Sequence, residues 1–323
     1  MDDQTNHTSN PRLRNRSARH SSGPVITDSH HQTGSMARSR QSTWERVFGY
    51  PRNFLNNQFV YLVLSPRARG LSIGVNLTPD RRCNFQCVYC EINRNVPPRA
   101  ERLDIHRMIH ELAETLKMAY SPAIRKVEGF DQVPEELLTP RHVAISGDGE
   151  PTLCPQFQEA IDAVTHLRAL GEVPFFKIVL VTNATALQRP AVQAGISTLT
   201  LQDELWLKLD TGTPEHFARI NRPKGVTYEE VLENIRMVGR QRPIIIQSLF
   251  PRFHGQGPSE EEIQAYVQRL RELKEAGTQI QLVQIYSAHR PMVNPFCEHL
   301  PLPELSRIAA AVRSETGLPA EVY

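Results

Sequence analysis

Cys83, Cys87 and Cys90 sit in the run Asp80-Arg81-Arg82-Cys83-Asn84-Phe85-Gln86-Cys87-Val88-Tyr89-Cys90. The spacing C-x3-C-x2-C puts three thiolates on one short loop, able to face one metal centre. The number three is informative. A structural zinc site is closed by four ligands, and would need Cys154, Cys297 or a histidine as the fourth. An iron–sulfur cubane held by three cysteines keeps one iron open to an outside ligand. Isolated cysteines often act as small hydrophobes. Three of the chain's five within eight residues argue for a metal instead. Spacing alone leaves zinc and iron–sulfur both open.

Other residues could act beside such a centre. In Ser146-Gly147-Asp148-Gly149-Glu150-Pro151-Thr152, the glycines allow close backbone approach to a ligand, and a carboxylate can accept from an ammonium. Thr182 and Asn183 could reach a ribose hydroxyl, or simply cap a turn. Lys208 and Asp210 share one face of a predicted strand and are the catalytic candidates. A lysine among apolar neighbours needs a partner. It could bind a cofactor carboxylate or a substrate anion, or pair with Asp210 structurally. Gln247, Tyr286, His289 and Arg290 are weaker candidates for the same mouth. His106 and His110, four apart on a predicted helix, read as a solvated face. Cys154 and Cys297 read as small buried thiols. Arg52, Arg67, Arg69, Arg81, Arg82, Arg94, Arg99 and Arg102 crowd around the cysteine loop and could guide a phosphate-bearing substrate.

Alternating elements must position these residues. Residues 59–64 read as a strand in an N-terminal extension, 44–69. Residues 70–77 alternate with the period of a strand, and 103–119 carry apolar residues at helical spacing. Strands are then expected at 142–146, 175–182, 204–210, 243–250 and 279–286. Helices are expected at 156–170, 188–194, 228–238 and 259–276, the last opened by a capping box from Ser259 and Glu262. A C-terminal helical extension, 291–323, ends its helix at Gly317. Six strands alternating with helices over 70–290 imply a parallel sheet covered by helices. Periodicity fits an open doubly wound sheet or a partial barrel. The cysteine loop follows the first of these strands, at the end where parallel α/β folds place ligands.

The rest of the composition bounds the function. With 37 basic and 35 acidic residues, the net charge of +2 implies no strong polyanion-binding field. The odd five cysteines exclude a disulfide framework. No apolar run reaches the roughly 18 residues of a membrane helix. A cytoplasmic enzyme without a membrane partner is expected. Residues 1–43 hold eight serines, six arginines, three aspartates and no aromatic residue, and are expected to be a disordered tail. That tail carries +3, so the remaining 280 residues, with 31 basic and 32 acidic side chains, carry −1.

The cysteine loop, with Tyr89 before its third cysteine, resembles the signature of the radical S-adenosylmethionine (radical SAM) superfamily. The resemblance covers 70–290 and implies an α/β fold, a partial (β/α)6 TIM-type barrel. It implies a 4Fe–4S cluster on Cys83, Cys87 and Cys90, whose open iron chelates S-adenosylmethionine. It further implies one-electron reduction of the sulfonium, a 5′-deoxyadenosyl radical and hydrogen abstraction from a substrate. The segment from Ser146 looks like the superfamily's Gly-Gly-Glu segment, with Asp148 inserted between the glycines. By that match Gly147, Gly149 and Glu150 would bind the cofactor, and Tyr89, Asn183 and Lys208 are expected to contact it as well. The implied partners are a small-molecule, peptide or RNA substrate and a one-electron donor such as flavodoxin or ferredoxin.

The wording at 70–77, SGDGEPTL at 146–153, Lys208-Leu209-Asp210-Thr211-Gly212 and Gln284-Ile285-Tyr286 is similar to uncharacterised iron–sulfur proteins grouped with wyosine-synthesis enzymes. Those enzymes carry a second, upstream cysteine set. This chain has no cysteine before Cys83, which limits that resemblance to fold and cofactor. The rival readings are an iron–sulfur redox or sensor protein and a zinc-stabilised interaction module on the same cysteines.

Overall fold

The computed structural model describes residues 47–49 and 54–323. The expected tail, 1–43, and Arg52 lie outside the described residues. An eight-stranded sheet runs through the chain in the order β1 (Val60–Ser65), β2 (Gly70–Val75), β3 (Pro140–Ile145), β4 (Ile178–Thr182), β5 (Glu204–Lys208), β6 (Ile244–Leu249), β8 (Ile280–Tyr286), β10 (Ala320–Val322). β1 is antiparallel to β2, and every other neighbouring pair is parallel. β7 (Pro251–Phe253) and β9 (Cys297–His299) form a separate antiparallel ribbon. β1 and β10 are the unjoined edges of a curled half-barrel, the partial TIM-type barrel expected. An exposed Arg69–Glu321 ion pair at 3.0 Å spans from the β1–β2 turn to β10.

Among the described residues the main α-helices are α1 (Ile105–Ala119), α2 (Phe157–Ala169), α3 (Pro190–Ser197), α4 (Pro214–Ile220), α5 (Tyr228–Gln241), α6 (Glu260–Glu275) and α7 (Leu302–Thr316). The period of two explains the sheet. Leu71, Ile73 and Val75 of β2 enter the main helix-covered core, as do Val143 and Ile145 of β3, while Val179, Trp206 and Ile245 form a separate inner cluster. Each fully buried aliphatic contributes about 1.5–3 kcal/mol. The α6 capping box forms as expected from Ser259 and Glu262, and Gly317 ends α7 in the left-handed region. Glu111 of α1 anchors the start of β1, accepting from the backbone N–H groups of Gln58, Phe59 and Val60 and from Arg107.

β4 is shorter than the expected strand at 175–182. Asp203 accepts from Ile178 N at 2.8 Å and is paired to Arg168, which fixes the strand's first residue. Phe175 lies 59% exposed, its ring 5.0 Å from the Arg168 guanidinium instead of in the sheet. The short strand β10 and helix α4 carry too few periodic residues to be read from the sequence.

Candidate functional site

The cysteine loop leaves the C-terminal end of β2 and is fastened on two sides. On one side, Gln86 N donates to Asn221 O at 3.1 Å, Val88 N to Ile220 O at 2.9 Å, and Lys224 N to Asn84 O at 2.8 Å. On the other, Glu150 N donates to Arg82 O at 2.8 Å. Gly149 makes this approach possible, because a Cβ there would stand 2.1 Å from Arg82 O. At Gly147 a Cβ would stand 2.2 Å from Asn76 Oδ1. Both expected glycines thus press the β3–α2 loop against the cysteine-bearing segment.

Three non-glycine residues with left-handed backbone, Arg81, Ala184 and Arg222, adjoin this site. Such conformations cost about 1–3 kcal/mol each and gather where a ligand is held. Arg81 and Arg94 are engaged with loop carbonyls, Arg94 donating to Phe85 O at 2.9 Å. Arg290 pairs with Glu91 at 2.9 Å, next to Cys90. These side chains brace the loop.

Glu150 lies 3% exposed at the end of the β3 loop. Its Oε1 accepts from Thr152 N at 3.1 Å, from Thr152 Oγ1 at 2.6 Å and from the Thr182 hydroxyl. Its Oε2 accepts from Asn183 N at 2.7 Å. Burial pushes the carboxyl upward, against these donors. The carboxylate expected to meet a cofactor ammonium is therefore occupied mainly by protein donors, which tie β3 to β4. Asn183 carries the link onward, donating to Asn84 Oδ1 at 2.9 Å and lying 3.9 Å from Cys83 Sγ.

A second cluster lies beside Cys87. Tyr89 OH donates to Asp210 Oδ2, and Asn221 Nδ2 donates to the same oxygen at 2.6 Å and to Tyr89 OH at 3.0 Å. Asn221 also approaches Cys87 Sγ at 3.6 Å. Asp210 Oδ1 accepts from Leu249 N at 2.8 Å and pairs with Lys208 Nζ at 3.4 Å. Lys208 reaches Tyr286 OH at 3.5 Å and stands 4.9 Å from the Tyr89 ring centre. Burial disfavours its ammonium, but Asp210, Tyr286 and Cys87 outweigh that and raise its pKa. Tyr89 is also raised, by burial and by Asp210. The structure thus brings Cys87, Tyr89, Lys208 and Asp210 together, with Asn221 as the joint that the sequence reading missed. Its only local signal was an Asn at a helix end before Pro223.

The remaining candidates separate. Gln247 donates to Gln284 across the lumen side at 3.3 Å. His289 packs against His299, with ring centres 4.9 Å apart. His106 and His110 are exposed on α1, and Cys154 and Cys297 are buried.

All three loop thiols are free and partly exposed. Burial, then Glu150, pushes Cys83 up to about 11, and burial pushes Cys87 up to about 12. Binding a metal there must displace protons. Among the described residues no group of three His, Cys, Asp or Glu converges as a single ion requires. A cubane asks for less convergence, because each thiolate binds a different iron. Three thiols on one loop fit a cubane with one open iron, whereas a structural zinc asks for a fourth ligand.

A family model of the Radical SAM superfamily matches residues 77–270. The chain belongs to the radical SAM superfamily. Membership brings that superfamily's cofactors, a 4Fe–4S cluster and S-adenosylmethionine. A UPF0026 protein of Helicobacter pylori is 29% identical over 185 residues, 56% of this chain and 51% of its own length. A UPF0026 protein of Synechocystis is 29% identical over 170 residues, 52% and 54% of the two chains. The chain spans about half the length of the curated relatives it matches. Among solved structures, TYW1 with a lysine-pyruvate adduct superposes with a TM-score of 0.51 at 17% identity, over 88% of this chain and 90% of that one. Streptococcus suis SuiB bound to S-adenosylmethionine gives 0.53 at 16% identity, over 93% and 57%. These two share the radical SAM fold with this chain. No described helix is long and apolar enough to cross a membrane.

Proposed function

We propose that this radical SAM protein is an oxidoreductase-type enzyme that cleaves S-adenosylmethionine reductively and abstracts hydrogen from a substrate. When bound, the reduced cluster supplies an electron to the sulfonium, giving methionine and a 5′-deoxyadenosyl radical. Cys83, Cys87 and Cys90 would hold the cluster. Gly147 and Gly149 let the β3 loop meet the cysteine loop, and Glu150 fixes Asn183 beside Cys83. Asn183 and the loop carbonyls would meet the cofactor's polar groups. Lys208 stays charged at working pH and would hold a carboxylate, with Asp210 and Tyr89 fixing its place. The substrate is a small molecule, peptide or RNA, and the electron comes from a donor such as flavodoxin or ferredoxin. Five thiols without a disulfide suit a reducing compartment such as the cytoplasm.

The observation that carries this reading is the double fastening of the cysteine loop, to β3 through Arg82 and Glu150 and to α4 through Val88 and Ile220. Such anchoring costs conformational entropy and is repaid where ligand positions matter. Anaerobic reconstitution with iron and sulfide tests it. About four irons per chain, with visible absorption and saturable S-adenosylmethionine binding, are expected for a three-cysteine cubane. Colourless protein that retains zinc contradicts it. A coloured protein that binds no S-adenosylmethionine makes it a redox or sensing cluster instead.

A further inference from the structure

The half-barrel has a second end. Near the N-terminal ends of its parallel strands lies a cavity of about 370 Å³. Arg67 of the β1–β2 turn, Arg141 and His142 of β3, Lys177 just before β4, and Glu204 and Trp206 of β5 line it. The cysteine loop, Asn183 and Asp210 instead follow the C-terminal ends of β2, β4 and β5.

Among the lining side chains three cations, Arg67, Arg141 and Lys177, face one carboxylate, Glu204. Tyr323 also lines the cavity, its phenol donating to Glu321. Lys177 is neutralised by Glu204 at 2.6 Å, and the same carboxylate accepts from the Trp206 indole at 2.8 Å. Arg67 and Arg141 remain. Arg141 spends its Nε on Arg69 O at 3.1 Å. Among the described residues, Arg67 has ring faces for neighbours, with its guanidinium carbon 4.3 Å from the Tyr286 ring centre and 6.0 Å from that of Trp206. A guanidinium held by its faces keeps its edge, where five N–H donors lie, for an acceptor. Burial, with Lys177 and Arg67 adding to it, lowers the pKa of His142 from 6.5 to about 3.

We propose that this cavity binds the oxyanion end of a small ligand, a carboxylate or a phosphate, on Arg67 and Arg141, with its flat or apolar part against Trp206. A planar, forked donor suits either oxyanion. The volume lies at the small end of ligand pockets, enough for a metabolite-sized molecule. Tyr286 connects the two ends of the lumen, stacking with Arg67 while its hydroxyl accepts from Lys208 at 3.5 Å. The ligand is then the substrate, held by its charge at the floor of the lumen. That role rests on the function proposed above, whereas oxyanion binding does not.

Titration of the cluster-loaded protein with phenyl phosphate, phenylacetate and neutral benzyl alcohol tests this, read by calorimetry and by Trp206 fluorescence. Saturable, salt-sensitive binding of at least one anion is expected, with no binding of the alcohol. The preferred anion identifies the oxyanion. Arg67→Met, which keeps the stem over the rings, should weaken binding at least tenfold. Arg67→Lys, which keeps the charge and loses the fork, should weaken it several-fold. Native affinity in both variants, an alcohol that binds as well as the anions, or no anion binding to the native protein overturns the proposal. Iron content and S-adenosylmethionine cleavage are measured on the same native sample. Their failure counts against the proposed function and leaves the anion result standing.

Discussion

The phenol of Tyr89 donates to the carboxylate of Asp210, a residue 121 positions later in the chain. Tyr89 lies between two of the loop cysteines, and Asp210 follows β5. One hydrogen bond therefore ties the cysteine loop to the strand that carries Lys208.

That bond should be measurable as a coupling. Tyr89→Phe is expected to cost about 1.5–3 kcal/mol, the range for a hydrogen bond to a charged group. Asp210→Asn should cost more, about 3–5 kcal/mol, because Lys208 loses its buried partner. The double variant should cost less than the sum by about 1 kcal/mol or more. Chemical denaturation of all three checks this, and strictly additive costs would mean that the two groups do not interact.

Gly149→Ala is expected to displace Arg82 and with it the cysteine loop, since its Cβ would stand 2.1 Å from Arg82 O. Iron retained per chain after reconstitution should fall by more than half. Gly171→Ala is the comparison. It meets nothing within 4 Å, and its positive φ costs an alanine about 1–3 kcal/mol of backbone strain far from the cysteine loop. Full iron binding in Gly149→Ala would show that the loop tolerates the shift.

Glu150→Gln replaces an acceptor oxygen by a donor among four donated hydrogen bonds. Either orientation of the amide sets donor against donor, at a cost of about 1–3 kcal/mol. Lower thermal stability together with weaker iron binding is expected, because Asn183 and Asn84 lose their frame. Native stability with weakened S-adenosylmethionine binding alone would instead assign Glu150 to the cofactor.

His142 should make stability pH-dependent. Burial, with Lys177 and Arg67 nearby, lowers its pKa from 6.5 to about 3. Between those values the unfolded chain binds a proton that the folded chain refuses. Its contribution is fully present above pH 6.5 and falls as pH drops towards 3, with a slope approaching about 1.4 kcal/mol per pH unit. Urea denaturation at several pH values between 5 and 6.5 should show a shallower slope in His142→Gln than in the native protein. Parallel slopes would contradict the buried neutral imidazole.

Local patterns were legible where local physics decides them. The cysteine spacing, the Ser259–Glu262 capping box and Gly317 are contained within a few residues each. The parallel sheet followed from alternating periods of two and 3.6, which fit an open sheet and a partial barrel alike; the barrel followed from the resemblance carried by the cysteine loop. The role of Asn221 was not legible, because its partners Cys87, Tyr89 and Asp210 are brought to it only by folding. The carboxylate of Glu150 was visible as a loop acid, but Thr182 and Asn183, which occupy it, lie at and just after the end of the next strand. Phe175 reads as strand because it is apolar, yet Asp203 and Arg168 fix the strand start at Ile178. The arginines around the loop suggest an anion surface, while carbonyl partners that sequence does not reveal engage several of them.

The central claim is that the three cysteines serve radical chemistry on S-adenosylmethionine. Quantifying 5′-deoxyadenosine after dithionite reduction of the reconstituted protein tests it most directly. The native protein should release it in the presence of S-adenosylmethionine, and Cys87→Ala should release none above background. No product from native protein that carries about four irons per chain, or equal product from Cys87→Ala, would contradict it.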